Sequence, residues 1–178
     1  VPALASPLPL NEVGAQGWNL LAEDLPLPAA ILRETALRNN STWMRGFLER
    51  EHVDIAPHGK TTMAPAIFDL QVADGAWAIT VSTPHHFAVA SAFGFRRIFM
   101  ANQLVGHRGI ADVVAGLKAS PETAFFCLAD DRSNVAALAG EARGAGLERP
   151  LNVLVELGYP GGRTGCRTVG EALEVARA

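Results

Sequence analysis

Cysteine is scarce in this chain. Only Cys127 and Cys166 occur among 178 residues, in no metal-ligand spacing and too few for a disulfide framework. Cys127 sits in the apolar run Phe125-Phe126-Cys127-Leu128, where a free thiol packs as a small hydrophobe. The expected compartment is therefore a reducing one, the cytoplasm. No apolar stretch is long enough to span a membrane. The Pro-rich start, Val1 to Leu10, lacks the basic segment of a signal peptide. Charge is thin as well: 19% of residues are charged and the formal net charge is -3, which argues against a nucleic-acid surface. A small anion remains possible, since it needs only a local positive site. No Ser-His-Asp spacing and no carboxylate pair stands out; Asp54 and Glu156 read as isolated. His85 and His86 are helical neighbours that do not share a face, so no metal ligands are expected within the chain.

Apolar residues, by contrast, are plentiful at 49%, enough for one domain with a substantial core. Short apolar runs predict strands at Ala29–Leu32, Val53–Ala56, Trp77–Val81, Arg97–Ala101, Phe125–Leu128 and Leu151–Val155. Such runs suit parallel strands buried on both faces. Helical spacing lies between them, as in Met63, Ala66, Ile67 and Leu70, in Ile110, Val113, Val114 and Leu117, and in Val135, Leu138, Ala139 and Ala142. Thr83-Pro84 caps and opens a further helix that Gly94 ends, and Thr168-Val169-Gly170-Glu171 has capping-box form. Residues 1–26 read as an irregular leader with one short helix near Trp18 to Glu23.

The fold class expected is α/β. Strand and helix alternate at roughly 25 residues per unit, close to the ~30 of a (β/α)8 barrel. About five units follow Val53, short of the eight that a barrel closes in ~250 residues. A partial barrel is expected, inactive by itself, because the sequence ends inside the helical pattern Glu174 to Ala178. A doubly wound sheet, which can close with five strands, stays open on this count.

The chemistry centres on Ala56-Pro57-His58-Gly59-Lys60-Thr61-Thr62-Met63-Ala64-Pro65. An apolar run feeds straight into Lys60 and a helix pattern follows. This places one amine at the C-terminal end of a strand, where parallel α/β proteins gather their active groups, and an amine can form a Schiff base with an aldehyde. A nucleotide-phosphate loop is excluded, because that pattern needs glycine where Asp54 stands. The second feature is Gly158-Tyr159-Pro160-Gly161-Gly162-Arg163-Thr164-Gly165, after the last predicted strand. Its glycines allow close approach of backbone to a ligand, and Arg163 supplies a cation at the same edge as Lys60. Asn102 and Gln103 end another strand there; their amides can bind a ligand or cap the next helix.

The run Pro57-His58-Gly59-Lys60-Thr61, the helix after it and the loop Gly161 to Gly165 resemble the D-serine dehydratase and D-threonine aldolase group. These are fold-type III pyridoxal phosphate enzymes of the alanine racemase-like superfamily. The stretches Asn19 to Asp24, Ala56 to Pro65 and Met100 to Gly106 resemble the bacterial amino acid deaminase, or low-specificity D-serine dehydratase, branch. The resemblance implies a pyridoxal phosphate-binding TIM-type barrel over residues 36–178, incomplete here. It also implies a strand over 27–35 that joins a C-terminal β domain outside the chain. Lys60 would hold the cofactor as an internal aldimine, Arg163 would contact its phenolic oxygen and His58 would support the lysine loop; Asn102 and Gln103, from their place at the same edge, are further candidates to bind the cofactor. The implied activity is that of a lyase, eliminating water and ammonia from D-serine or D-threonine type substrates to leave a 2-oxo acid. The alternatives are aldol cleavage of D-threonine and a barrel that binds the cofactor without turnover. A divalent metal, zinc or manganese, would be held by ligands outside the chain, and the full-length protein would be a homodimer. Two positions depart from the wider group: Ala56 stands where arginine is common, and Thr62 where a second histidine is.

Overall fold

The computed structural model describes residues 7–178. The chain divides into two compact units between Asn40 and Ser41. In the first, short 3-10 helices span Leu10–Gln16 and Leu20–Ala22. The second is capped by Asn19, whose side-chain oxygen accepts from the Leu21 backbone N–H at 2.9 Å. The helix predicted near Trp18 to Glu23 is thus a single 3-10 turn. Ala29–Leu32 forms no strand with any described segment.

Helix α1, Glu34–Glu51, starts in the first unit and runs into the second. The rest alternates: α2 Pro65–Ala73, β1 Ile79–Val81, α3 Pro84–Ala92, β2 Arg97–Gln103, α4 His107–Ala119, β3 Ala124–Ala129, α5 Arg132–Gly144, β4 Asn152–Val155 and α6 Val169–Ala176. The capping signals appear as predicted. Thr83 accepts from the His86 backbone N–H, and Thr168 with Glu171 closes a full capping box.

The four strands lie in the order β1-β2-β3-β4, every pair parallel. A doubly wound sheet reverses its order at a switch point; this one never reverses. Successive crossovers of one hand then lay all the helices on one face, and α3, α4, α5 and α6 do pack each on the next. This is the winding of a (β/α) barrel, here an open arc.

The strand predicted over Val53–Ala56 needs correction. The segment does run parallel to β1, but the pairing lies further along: Trp77 N–H donates to Ile55 O (2.8 Å), Thr80 N–H to Pro57 O (2.9 Å) and Gly59 N–H to Thr80 O (2.8 Å). Only one bridge forms, between His58 and Thr80. Pro57 explains the broken ladder, because it has no N–H to donate.

Alternation along the strands builds the core. Ile98, Met100, Phe125 and Cys127 are buried under the helices with Ile79 and Val81. They meet Phe68 of α2, Phe87 of α3, four apolar residues of α4 and Leu138 of α5. Phe87 and Phe125 pack edge to face at 5.2 Å. Gly116 lets α4 close on α3: a Cβ there would stand 2.7 Å from the Phe87 ring. Among the described residues no helix is long and apolar enough to cross a membrane.

Candidate functional site at the strand ends

Lys60 rides on a closed turn. Met63 N–H donates to Gly59 O at 2.8 Å and Thr62 N–H to the same oxygen at 3.2 Å. Met63 ends the turn in the left-handed region, at φ 42°, a conformation that costs a side-chain-bearing residue about 1 kcal/mol or more. Its side chain packs against the main core, which holds it there. Gly59 is required by space: a Cβ would stand 2.5 Å from Phe68 Cζ and 3.0 Å from Ile79 Cγ2. The lysine therefore sits on backbone pinned to β1 on one side and to the α2 aromatic on the other. Lys60 and His58 are both exposed, and neither forms a side-chain hydrogen bond or ion pair among the described residues.

Asn102 and Gln103 close β2 at a bulge. The register jumps from Met100 opposite Cys127 to Gln103 opposite Leu128. Bulges re-aim side chains beside functional sites, and here two sequence neighbours reach opposite ways along the sheet edge. Asn102 Nδ2 donates to Ser82 O, after β1, at 2.9 Å; Gln103 Nε2 donates to Glu156 Oε2, after β4, at 2.5 Å. Ser82 Oγ in turn lies 3.2 Å from His86 Nδ1.

The glycine-rich loop after β4 is a built structure. Gly162 N–H closes a turn on Tyr159 O at 2.8 Å, with Pro160 and Gly161 between them and Gly161 at φ 81°, as a type II turn requires. Gly158 N–H bonds Cys166 O at 2.8 Å, and Gly165 at φ 93° touches Gly158 so closely that a Cβ would stand 2.5 Å from its nitrogen. Arg167, which sequence reasoning passed over, ties the loop with guanidinium bonds to Thr164 O and Gly162 O, both 2.8 Å. Asp130, after β3, accepts from Gly165 N–H at 2.7 Å. Arg163 is exposed, with no side-chain bond among the described residues.

Glu156 is not isolated, contrary to the sequence reading. One carboxylate oxygen takes Gln103 and the other accepts from Thr164 Oγ1 at 2.9 Å. The structure thus joins Gln103, Glu156 and the Arg163 loop in one network, and places Lys60 at the same sheet end, two strands from Gln103 and four from Glu156. Cys166 is buried beneath the loop; burial first, then the Asp130 and Glu171 carboxylates, push its thiol pKa up.

Strand order and edge loops define the class: part of a parallel (β/α) barrel with its polar groups at the C-terminal strand ends. The sequence matches no protein-family model and no curated protein. Solved structures do match in fold. A D-threonine aldolase from Filomicrobium marinum superposes with a TM-score of 0.79 at 24% identity, over 86% of this chain and 40% of that one. A D-threo-3-hydroxyaspartate dehydratase from a Delftia species gives 0.68 at 23% identity, over 80% and 36%. SrLDC in complex with PLP and cadaverine gives 0.68 at 20% identity, over 97% and 40%. The chain thus spans well under half the length of each.

Proposed function

We propose that this chain is the lysine-bearing part of a pyridoxal phosphate-dependent lyase acting on D-amino acids, and that it eliminates water and ammonia from β-hydroxy substrates of the D-serine or D-threonine type. The observation that carries the reading is Lys60: an uncommitted amine on a rigid turn at the C-terminal edge of a parallel barrel sheet. The fold matches support it, since one was solved with PLP and others are an aldolase and a dehydratase of D-configured substrates.

The residues present fit the group. An anionic aldehyde calls for a free amine and a free cation, and Lys60 and Arg163 are both without internal partners among the described residues. When bound, pyridoxal phosphate supplies a carbonyl for attachment and a ring that withdraws electrons from the substrate's Cα. Lys60 Nζ would hold it and move the proton at Cα. Arg163 would give its phenolic oxygen a charged hydrogen-bond donor. Asn102 and Gln103, each with an amide N–H already spent on protein, would line it with what remains. His58, bridged to Thr80, would keep the lysine turn in register. Among the described residues no three His, Cys, Asp or Glu side chains gather to hold a metal, so no metal step is assigned to this chain.

The test uses the full-length protein. Borohydride reduction with the cofactor should attach it at Lys60, and Lys60→Ala should lose both attachment and the yellow absorbance; their retention would overturn the reading. Products then separate the chemistries. A 2-oxo acid with ammonia marks elimination, glycine with acetaldehyde marks aldol cleavage, and no turnover marks a binding barrel.

A further inference from the structure

Glu156 does two jobs with one carboxylate. Oε2 accepts from the Gln103 amide at 2.5 Å and Oε1 from the Thr164 hydroxyl at 2.9 Å. Its backbone is held as firmly: its N–H bonds Ala129 O at 2.9 Å, and its carbonyl accepts from Cys166 N–H at 2.8 Å. An ionised carboxylate only accepts, so Gln103 must turn its NH2 toward it. The carbonyl oxygen of Gln103, which has no partner among the described residues, is left as the group on offer. Thr164 is the neighbour of Arg163, so the same carboxylate also anchors the loop that carries the cation.

From this geometry we infer that Glu156 is a positioning residue: it fixes Gln103 to present an acceptor oxygen at the strand ends while it holds the Arg163 loop in place. The inference rests on the proposed function for the identity of the ligand. The ligand class that it selects is one that joins an anionic part, for Arg163, to an N–H or O–H donor, for Gln103. Glu156 does not itself touch the ligand. A glutamine at 156 would put NH2 against NH2, so the Gln103 amide would turn over and offer a donor instead. Exchanging the two side chains restores the pair, because a carboxylate at 103 accepts from an amide at 156 and still presents an acceptor oxygen.

The experiment compares full-length wild type with Glu156→Gln, Gln103→Glu, the exchanged double variant and Thr164→Val. Pyridoxal phosphate binding is followed by absorbance, and amide hydrogen exchange across Gly158–Cys166 is followed on cofactor-free protein. Glu156→Gln and Gln103→Glu should each weaken binding about 10-fold or more, in the range typical of residues that orient direct ligands. The exchanged pair should return to within about 3-fold of wild type, an interaction of the kind seen for residues in one network. Thr164→Val, the mildest change, should speed exchange in the loop and leave the fold intact. Wild-type affinity in both single variants, or an exchanged pair as weak as the singles combined, would overturn the inference. If wild type attaches no cofactor at Lys60, the proposed function fails by itself. The exchange data then decide on Glu156: Glu156→Gln keeps an oxygen for the Thr164 hydroxyl, so unchanged protection in Thr164→Val would sink its hold on the loop.

Discussion

At the scale of single residues, Gly59 carries more of the site than any polar group, because it sets where Lys60 can stand. Alanine there would drive a methyl into the Phe68 ring at 2.5 Å and against Ile79 at 3.0 Å, both of them buried. Overpacking of this kind costs about 1–3 kcal/mol. Gly59→Ala should lower the unfolding free energy from denaturant curves by that amount and reduce cofactor attachment at Lys60, although the amine itself is untouched. The two loop arginines should part in the opposite way. Arg167 spends its guanidinium on two backbone carbonyls, so Arg167→Ala should cost about 1 kcal/mol of stability. Arg163 spends nothing on the protein. Arg163→Ala should stay within about 0.5 kcal/mol of wild type while weakening cofactor binding. Paired denaturation and binding curves check both, and a stability loss confined to Arg163→Ala would reverse the assignment.

At the scale of elements, α3, α5 and α6 start on side-chain caps, and the one at α5 titrates. Asp131 caps α5 by accepting from Ser133 and Asn134. The Ser133 side-chain hydroxyl, then the Asn134 backbone N–H, hold its carboxyl below the usual carboxylate pKa. A depressed folded-state pKa means that this stabilisation is fully present above the ordinary carboxylate range and is lost as pH falls through the depressed value. Asparagine caps nearly as well without titrating. Wild type should therefore melt above Asp131→Asn at neutral pH, and the gap should close in acid; a gap independent of pH would remove the charge from the argument. The Thr83 and Thr168 caps were legible because a cap and its partner lie within four residues. The four strands were legible for a related reason, as apolar runs such as Phe125–Leu128 carry their burial in their own composition. Helix α1 was not read, although Leu37, Met44 and Leu48, with Trp43 and Phe47, repeat at helical spacing; none of its residues is buried. The bulge at Met100–Gln103 and the role of Glu156 were hidden too. Gln103 and Glu156 lie 53 residues apart, and only the parallel winding brings them to one edge. The turn that carries Lys60 was legible because Pro57 and Gly59 mark it locally.

At the scale of the whole molecule, the sheet is apolar on both faces but covered by helices on one. Ile98, Met100, Phe125 and Cys127 are sealed beneath them. On the opposite face Phe99, Phe126 and Leu128 are only half-buried and Leu154 is 43% exposed. Trp77 covers part of it, with its ring 4.8 Å from Phe126. In a closed barrel that face would be packed by layers of side chains from the other strands; in an open arc it meets water, and an apolar patch of this kind drives association. Residues 1–178 expressed alone should therefore bind a hydrophobic dye such as ANS, grow in scattering mass with concentration and carry no bound cofactor. Leu154→Asp should reduce the association without lowering the melting temperature, since that side chain adds little to the core. A monodisperse, yellow preparation of the isolated chain that binds no dye would show that four strands suffice to seal the sheet and shape the Lys60 site.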